Sequence, residues 1–340
     1  MWAILLDQNF LSAILISLFF IFLGFILRKK QIIDDNGKKL ITFIVLKITL
    51  PVMAFTAFMK DFDSNEFSSN ITVFIIAIIL YSLYLIIGNL IFSSYGREKS
   101  KVYSVFMTVG QLTFFSLPIL EAIYGDNVLL PINMITLVFR FVLYVYSYFV
   151  ISKLSFNKEN INQAFKKIFV NPIMIGMLIG LFVWVSQGFM FKVLINDATY
   201  SILRIDKTIP VIYNVMKKID GLTTPLAMIL IGCTLGESSI KEAIKDKMAW
   251  VISILRTFII PLLTLGIVYL IQKLNICSLN EYATVALILG FGAPISAVLN
   301  AFCSKYDNES QLSSRICLVS ILMCLVSFPT IYLLIKVIFI

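Results

Sequence analysis

The chain contains no histidine. That excludes histidine-based catalysis and removes the commonest metal ligand. Acidic residues are scarce, with 19 Asp and Glu against 28 Lys and Arg. An intramembrane protease would need a buried aspartate pair, a serine–histidine pair or a histidine-based metal site, and none is found. No glycine-rich phosphate loop is present, so the chain itself hydrolyses no nucleotide. The five cysteines (Cys233, Cys277, Cys303, Cys317 and Cys324) are scattered and odd in number, with neither metal spacing nor a disulfide framework. No hydrophilic stretch is long enough for a separate soluble domain, which leaves no room for the output domain of a sensor.

What remains is apolar. The 340 residues are 59% hydrophobic with a mean hydropathy of +0.95, the composition of a polytopic membrane protein. The net charge of +9 does not point to nucleic acid. The positive residues sit in short loops, where they orient the protein and meet anionic lipid. The first apolar run begins near Asn9 without a basic flank or a small-residue cleavage site, so it reads as a first transmembrane helix. Ten spans follow, at about 9–27, 40–59, 70–92, 101–124, 128–151, 169–190, 209–236, 248–271, 282–303 and 313–338. Lys and Arg concentrate in the loops after the odd spans, as in Arg28-Lys29-Lys30 and Lys166-Lys167. The positive-inside rule makes those loops cytoplasmic and puts both termini outside.

The ninth span, Tyr282–Phe302, has no charge, but it carries Gly290, Gly292 and Pro294, with Ser296 and Asn300 just beyond. Proline lacks an N–H and clashes with the carbonyl four residues back, so the helix is expected to break there. Freed backbone groups in mid-membrane are tolerated only where protein or a lined cavity covers them. The fourth span repeats the pattern around Pro118, in GQLTFFSLPIL. Pro118 and Pro294 are separated by nearly the same interval as Pro51 and Pro225. Matching proline-broken helices in two halves are a pointer to a repeat-built transporter. Five spans per copy invert the second copy relative to the first. The chain divides into a first repeat at 1–154, a basic cytoplasmic linker at 155–168 and a second repeat at 169–340. The basic composition of the linker suits an interfacial helix.

LPVMAF at 50–55, NPIMIGMLIG at 171–180, TPLAMILIGCTL at 224–235 and APISAVLNAFCSKY at 293–306 resemble the auxin efflux carrier family, which includes plant PIN carriers and bacterial malate and malonate permeases. The resemblance covers the whole chain, in order. It implies an all-α protein of ten transmembrane helices, in two inverted five-helix repeats, with a fold similar to bile acid:sodium symporters and sodium/proton antiporters. Helices 1, 2, 6 and 7 would form a scaffold, pairing into a homodimer. Helices 3–5 and 8–10 would form a mobile core in which helices 4 and 9 cross at their breaks. The implied function is secondary transport of a small malate- or malonate-like anion by elevator-type alternating access. No cofactor is implied beyond a coupling H+ or Na+. The alternative is a sodium-coupled symporter or a cation/proton antiporter of the same fold; cation exchange would want a pair of buried carboxylates near the crossing, and none is found, whereas sodium coupling could use carbonyls with Gln111, Ser296 and Asn300. Composition rich in Ile, Lys and Asn suggests a bacterial plasma membrane as the location. The fourth span departs from the Asn-x-Gly-x-x-Gly-x-Pro of bacterial relatives, since the matching positions are Gln111, Thr113, Ser116 and Pro118. That departure puts the usual substrate in question more than the fold.

The expected substrate site is therefore Gln111, Thr113, Ser116, Pro118, Gly292, Pro294, Ser296 and Asn300. Arg140, near the middle of the fifth span, joins them as counter-ion to an anion, because an unpaired charge there costs several kcal/mol. Glu121, three residues past Pro118, is the candidate for a coupling proton or cation. Arg256 reads as an interfacial anchor. Asp220, with Lys217 and Lys218, reads as a solvated face.

Overall fold

The computed structural model describes residues 8–339, apart from 156, 196–197 and 238–239. The chain is mostly helical. Its first half holds α1 (Gln8–Lys29), α2 (Asp35–Thr56), α3 (Ser64–Ile91), α4 (Arg97–Thr108), α5 (112–124) and α6 (129–152). Gly125, at a φ of 63°, ends α5. The basic segment forms the amphipathic α7 (Lys158–Phe169), followed by α8 (Pro172–Ser186). An antiparallel hairpin, β1 (Lys192–Ile195) and β2 (Ala198–Ser201), pairs Lys192 with Ser201. The second half continues with α9 (Ile205–Thr208), α10 (Pro210–Asp220), α11 (Thr223–Glu237), α12 (Ile240–Lys245), α13 (Lys247–Lys273), α14 (Glu281–Phe291), α15 (Ala297–Tyr306) and α16 (Ser310–Phe339).

Among the described residues, six helices are long and apolar enough to cross a membrane, or seven if α7 and α8, bent by 65°, form one span. Ten were expected from the sequence. Interruptions account for part of the difference. A crossing needs roughly 20 helical residues, whereas α4 has 12, α8 has 15, α14 has 11 and α15 has 10.

The prolines act differently from expectation. Wider π turns occupy Val45–Thr49, Leu112–Ser116 and Leu255–Ile259, just ahead of Pro51, Pro118 and Pro261. A proline frees and crowds the carbonyl four residues back, and widening the turn accommodates it without ending the helix. Pro118 thus sits inside a continuous α5 and does not break it. The interruption lies upstream, at Val109–Gln111, where Val109 is extended. Pro294 does lie within the second interruption, between Phe291 and Ala297. The two interruptions meet in an antiparallel bridge between Gly110 and Ile295.

Glycines set the closest helix contacts. Gly232 and Gly24 put α11 and α1 backbone to backbone, against the carbonyls of Ile21 and Ile229. Gly176 and Gly180 do the same for α8 and α2, against the carbonyls of Pro51 and Phe55. Small residues four apart permit such approach where lipid offers no hydrophobic drive. All of α14 from Ala283 to Phe291 is buried, which makes it the centre of the molecule.

Gly232→Ala should lower the thermal unfolding midpoint in detergent, because the added methyl meets the Ile21 carbonyl. Gly266→Ala has open space around its Cβ and should leave the midpoint unchanged or raise it, since alanine is worth about 1 kcal/mol over glycine in a helix. Equal effects of the two substitutions would discount the close approach.

Candidate functional site

The site is built where the two interruptions meet. The Gln111 amide donates to the Pro294 carbonyl at 2.6 Å, and the Ser296 amide donates to the Val109 carbonyl at 3.3 Å. These bonds satisfy part of the backbone that the breaks leave open. They also fix four helix ends around one point: the C-termini of α4 and α14, and the N-termini of α5 and α15.

The two C-termini converge on Arg256. Its Nε donates to the Ala293 carbonyl at 2.8 Å, and its Nη1 donates to the carbonyls of Thr108 at 2.5 Å and Met107 at 3.3 Å. The side chain is 1% exposed. A helix C-terminus carries about half a negative charge, so two of them offset much of the cost of burying a guanidinium. Gly110 lies against the same group, and a Cβ there would overlap the guanidinium. The expectation that Arg256 anchors at the interface is therefore wrong. It sits in the π turn before Pro261, aimed inward. An arginine five residues before a proline inside an apolar span was the available signal.

The two N-termini face a cavity of about 1130 Å³. Several helices start on a side-chain cap; Asp34, Asp63, Asn171, Asp246 and Asn280 accept N–H bonds at the starts of α2, α3, α8, α13 and α14. Neither α5 nor α15 has one. The first N–H groups of each therefore lack intrahelical acceptors, and each end presents about half a positive charge. One of them, the Ala297 amide, donates to Gln111 Oε1 at 3.1 Å. Gln111, Phe114, Ala297, Val298 and Asn300 line the cavity on this side, and Thr42, Leu46, Leu230 and Thr234 line it from α2 and α11. Lys38, Glu242 and Arg315 also line it, with Arg315 donating to Asp246 at 3.0 Å. Asn300 Oδ1 accepts from Ser313 Oγ at 2.6 Å. That orientation turns its amide N–H groups to other acceptors.

Of the expected site residues, Gln111 and Asn300 line this cavity. The others do not. Ser116 donates to the Leu289 carbonyl at 3.0 Å and joins α5 to α14. Thr113 is buried with its hydroxyl unpartnered, and Pro118 is buried within α5. Gly292 closes α14, while Pro294 and Ser296 use their backbone groups in the bridge. Arg140 is 3% exposed on α6, away from the cavity lining, and its Nε has no hydrogen-bond partner.

Glu121 stands about ten residues beyond Gln111, roughly 15 Å along α5. There it accepts from Thr224 Oγ1 at 2.9 Å. Lys217 pairs with Asp126 at 2.9 Å and Asp220 at 2.8 Å. Asp220 is buried, not solvated as expected, because Lys217 and the Thr56 hydroxyl at 3.0 Å compensate it. The carboxylates of Glu121, Asp126 and Asp220 lie within 4.8 Å of one another. The Lys217 ammonium already neutralises part of that charge. This group ties α5 to α10 and α11 at the end away from the cavity.

A family model described as membrane transport protein matches residues 10–332. No curated protein matches the chain.

In a cysteine-free background, Asn300→Cys should react with a water-soluble thiol reagent, and Ser116→Cys should not. Equal labelling of both would mean that the cavity wall is misdrawn.

Proposed function

We propose, from the premise that the chain belongs to the membrane transport family of auxin efflux carriers, that it is a secondary transporter of a small organic anion. The observation that carries this reading is the pair of helix N-termini, neither capped by its own N-cap side chain, facing one large cavity. Aligned N–H groups and partial positive charge suit a carboxylate. Gln111 and Asn300 would add directional donors. The malate or malonate class is what the family resemblance suggests. The charged side chains on the lining are Lys38, Glu242 and Arg315, the last held by Asp246.

The transport cycle rests on a ten-span inverted repeat. Its support is a symmetry of contacts. Exchanging the halves turns the glycine contact of α1 with α11 into that of α8 with α2, and turns one interruption into the other. In this reading α1, α2, α8, α10 and α11 are the scaffold, and the cavity runs between scaffold and core. The Lys217–Asp126 pair and the Thr224–Glu121 bond close the opposite end. Alternating access would break these and shut the cavity. By the positive-inside rule the open cavity faces the cytoplasm. Glu121, at the closing contact, is the coupling-proton candidate.

The test is uptake of labelled malate and malonate into proteoliposomes, with and without a pH gradient. Gln111→Leu and Asn300→Leu should each raise KM about 10- to 100-fold, the loss of a hydrogen bond to a charged group. Arg140→Gln should leave KM unchanged if that residue is structural. Saturable uptake insensitive to both amide substitutions would move the site elsewhere. No uptake of either acid by folded protein would sink the dicarboxylate assignment.

A further inference from the structure

Arg256 is unusual in its partners. The acceptors recorded for its guanidinium are all backbone carbonyls: Ala293 after the end of α14, and Met107 and Thr108 at the end of α4. Among the described residues it forms no ion pair with a carboxylate. Convergent carbonyls from two helix C-termini are the kind of oxygen cage that binds a bare cation in hydrocarbon. Here the cage is filled from within the chain. Gly110 leaves the space that the guanidinium occupies, since a Cβ at that position would overlap it. The π turn at Leu255–Ile259, set by Pro261, carries the arginine there.

We propose that Arg256 is a tethered cation at the meeting of the two interrupted helices, and that it does permanently what an inorganic cation would otherwise have to do by binding. Without positive charge, the carbonyls of two breaks and two negative helix ends would face one another. With Arg256 in place, the N-termini of α5 and α15 stay fixed toward the cavity whether or not sodium is present. Arg256 is thus a positioning residue, acting through the backbone on the anion site. The inference deepens the transporter reading, but its test does not use transport, so the two can fail separately.

The test compares thermal unfolding of the full-length native protein and of Arg256→Ala in detergent, in guanidinium, sodium or choline chloride at equal millimolar concentration. The native midpoint should be the same in all three salts. Arg256→Ala should unfold at a lower temperature in choline and should recover selectively in guanidinium, which can re-enter the vacated cage. A residue that only fills space would show no such selectivity. Equal midpoints for Arg256→Ala in guanidinium and choline would overturn the proposal. So would selective stabilisation of the native protein by sodium, because the cage would then need an inorganic ion as well. Should Arg256→Ala not fold, that native comparison and Arg256→Lys decide. The lysine variant keeps the charge and should fold, whereas Arg256→Gln, of similar length, should not. Equal folding of the lysine and glutamine variants would also overturn the proposal.

Discussion

A peptide group without a partner in hydrocarbon costs several kcal/mol, and two helices here stop inside the protein. Everything near the centre answers that constraint. The Gly110–Ile295 bridge pairs one interruption with the other. Arg256 takes the carbonyls that the bridge leaves, and Gln111 caps one of the amides. Both helix starts, at Gln111 and Ala297, line the cavity. The candidate site is thereby tied to the architecture that holds the breaks together.

The prolines show how small a local change can redirect a side chain. A π turn inserts one residue into the helical register, so the residues before and after it leave the helix on different faces than an α-helix would give them. In α13 this lets a charge on an otherwise apolar helix reach the buried crossing while the helix continues. In α5 it lets Ser116 reach α14. Breakage was not the outcome at Pro118, because widening the turn freed the clashing carbonyl at less cost than ending the helix.

Much of the fold was legible in the sequence. Membrane character came from hydropathy, the amphipathic α7 from its basic composition, and the family from four motifs in register. Gln111 and Asn300, read from the sequence as amides in the two proline-bearing spans, are the expected site residues that line the cavity. The rest needed three dimensions. Which break falls where depends on the pairing of Gly110 with Ile295, residues far apart in the chain. Arg256 was misread because distance from the end of a span measures depth only if the chain is straight, and it says nothing about two helix C-termini arriving from elsewhere. Asp220 was misread for a related reason. Two neighbouring lysines suggested water, but one of them folds back onto the carboxylate, and Thr56 donates to the same oxygen.

A buried guanidinium does not release its charge as a bound ion does. In a membrane, one elementary charge carried across the whole electric field is worth about 2.3 kcal/mol per 100 mV. In the proposed cycle, any share of the field that Arg256 crossed as its helix shifted would let the membrane voltage bias that shift even with the cavity empty. The resting orientation would then follow the electrical state of the cell as well as the concentration of the cargo.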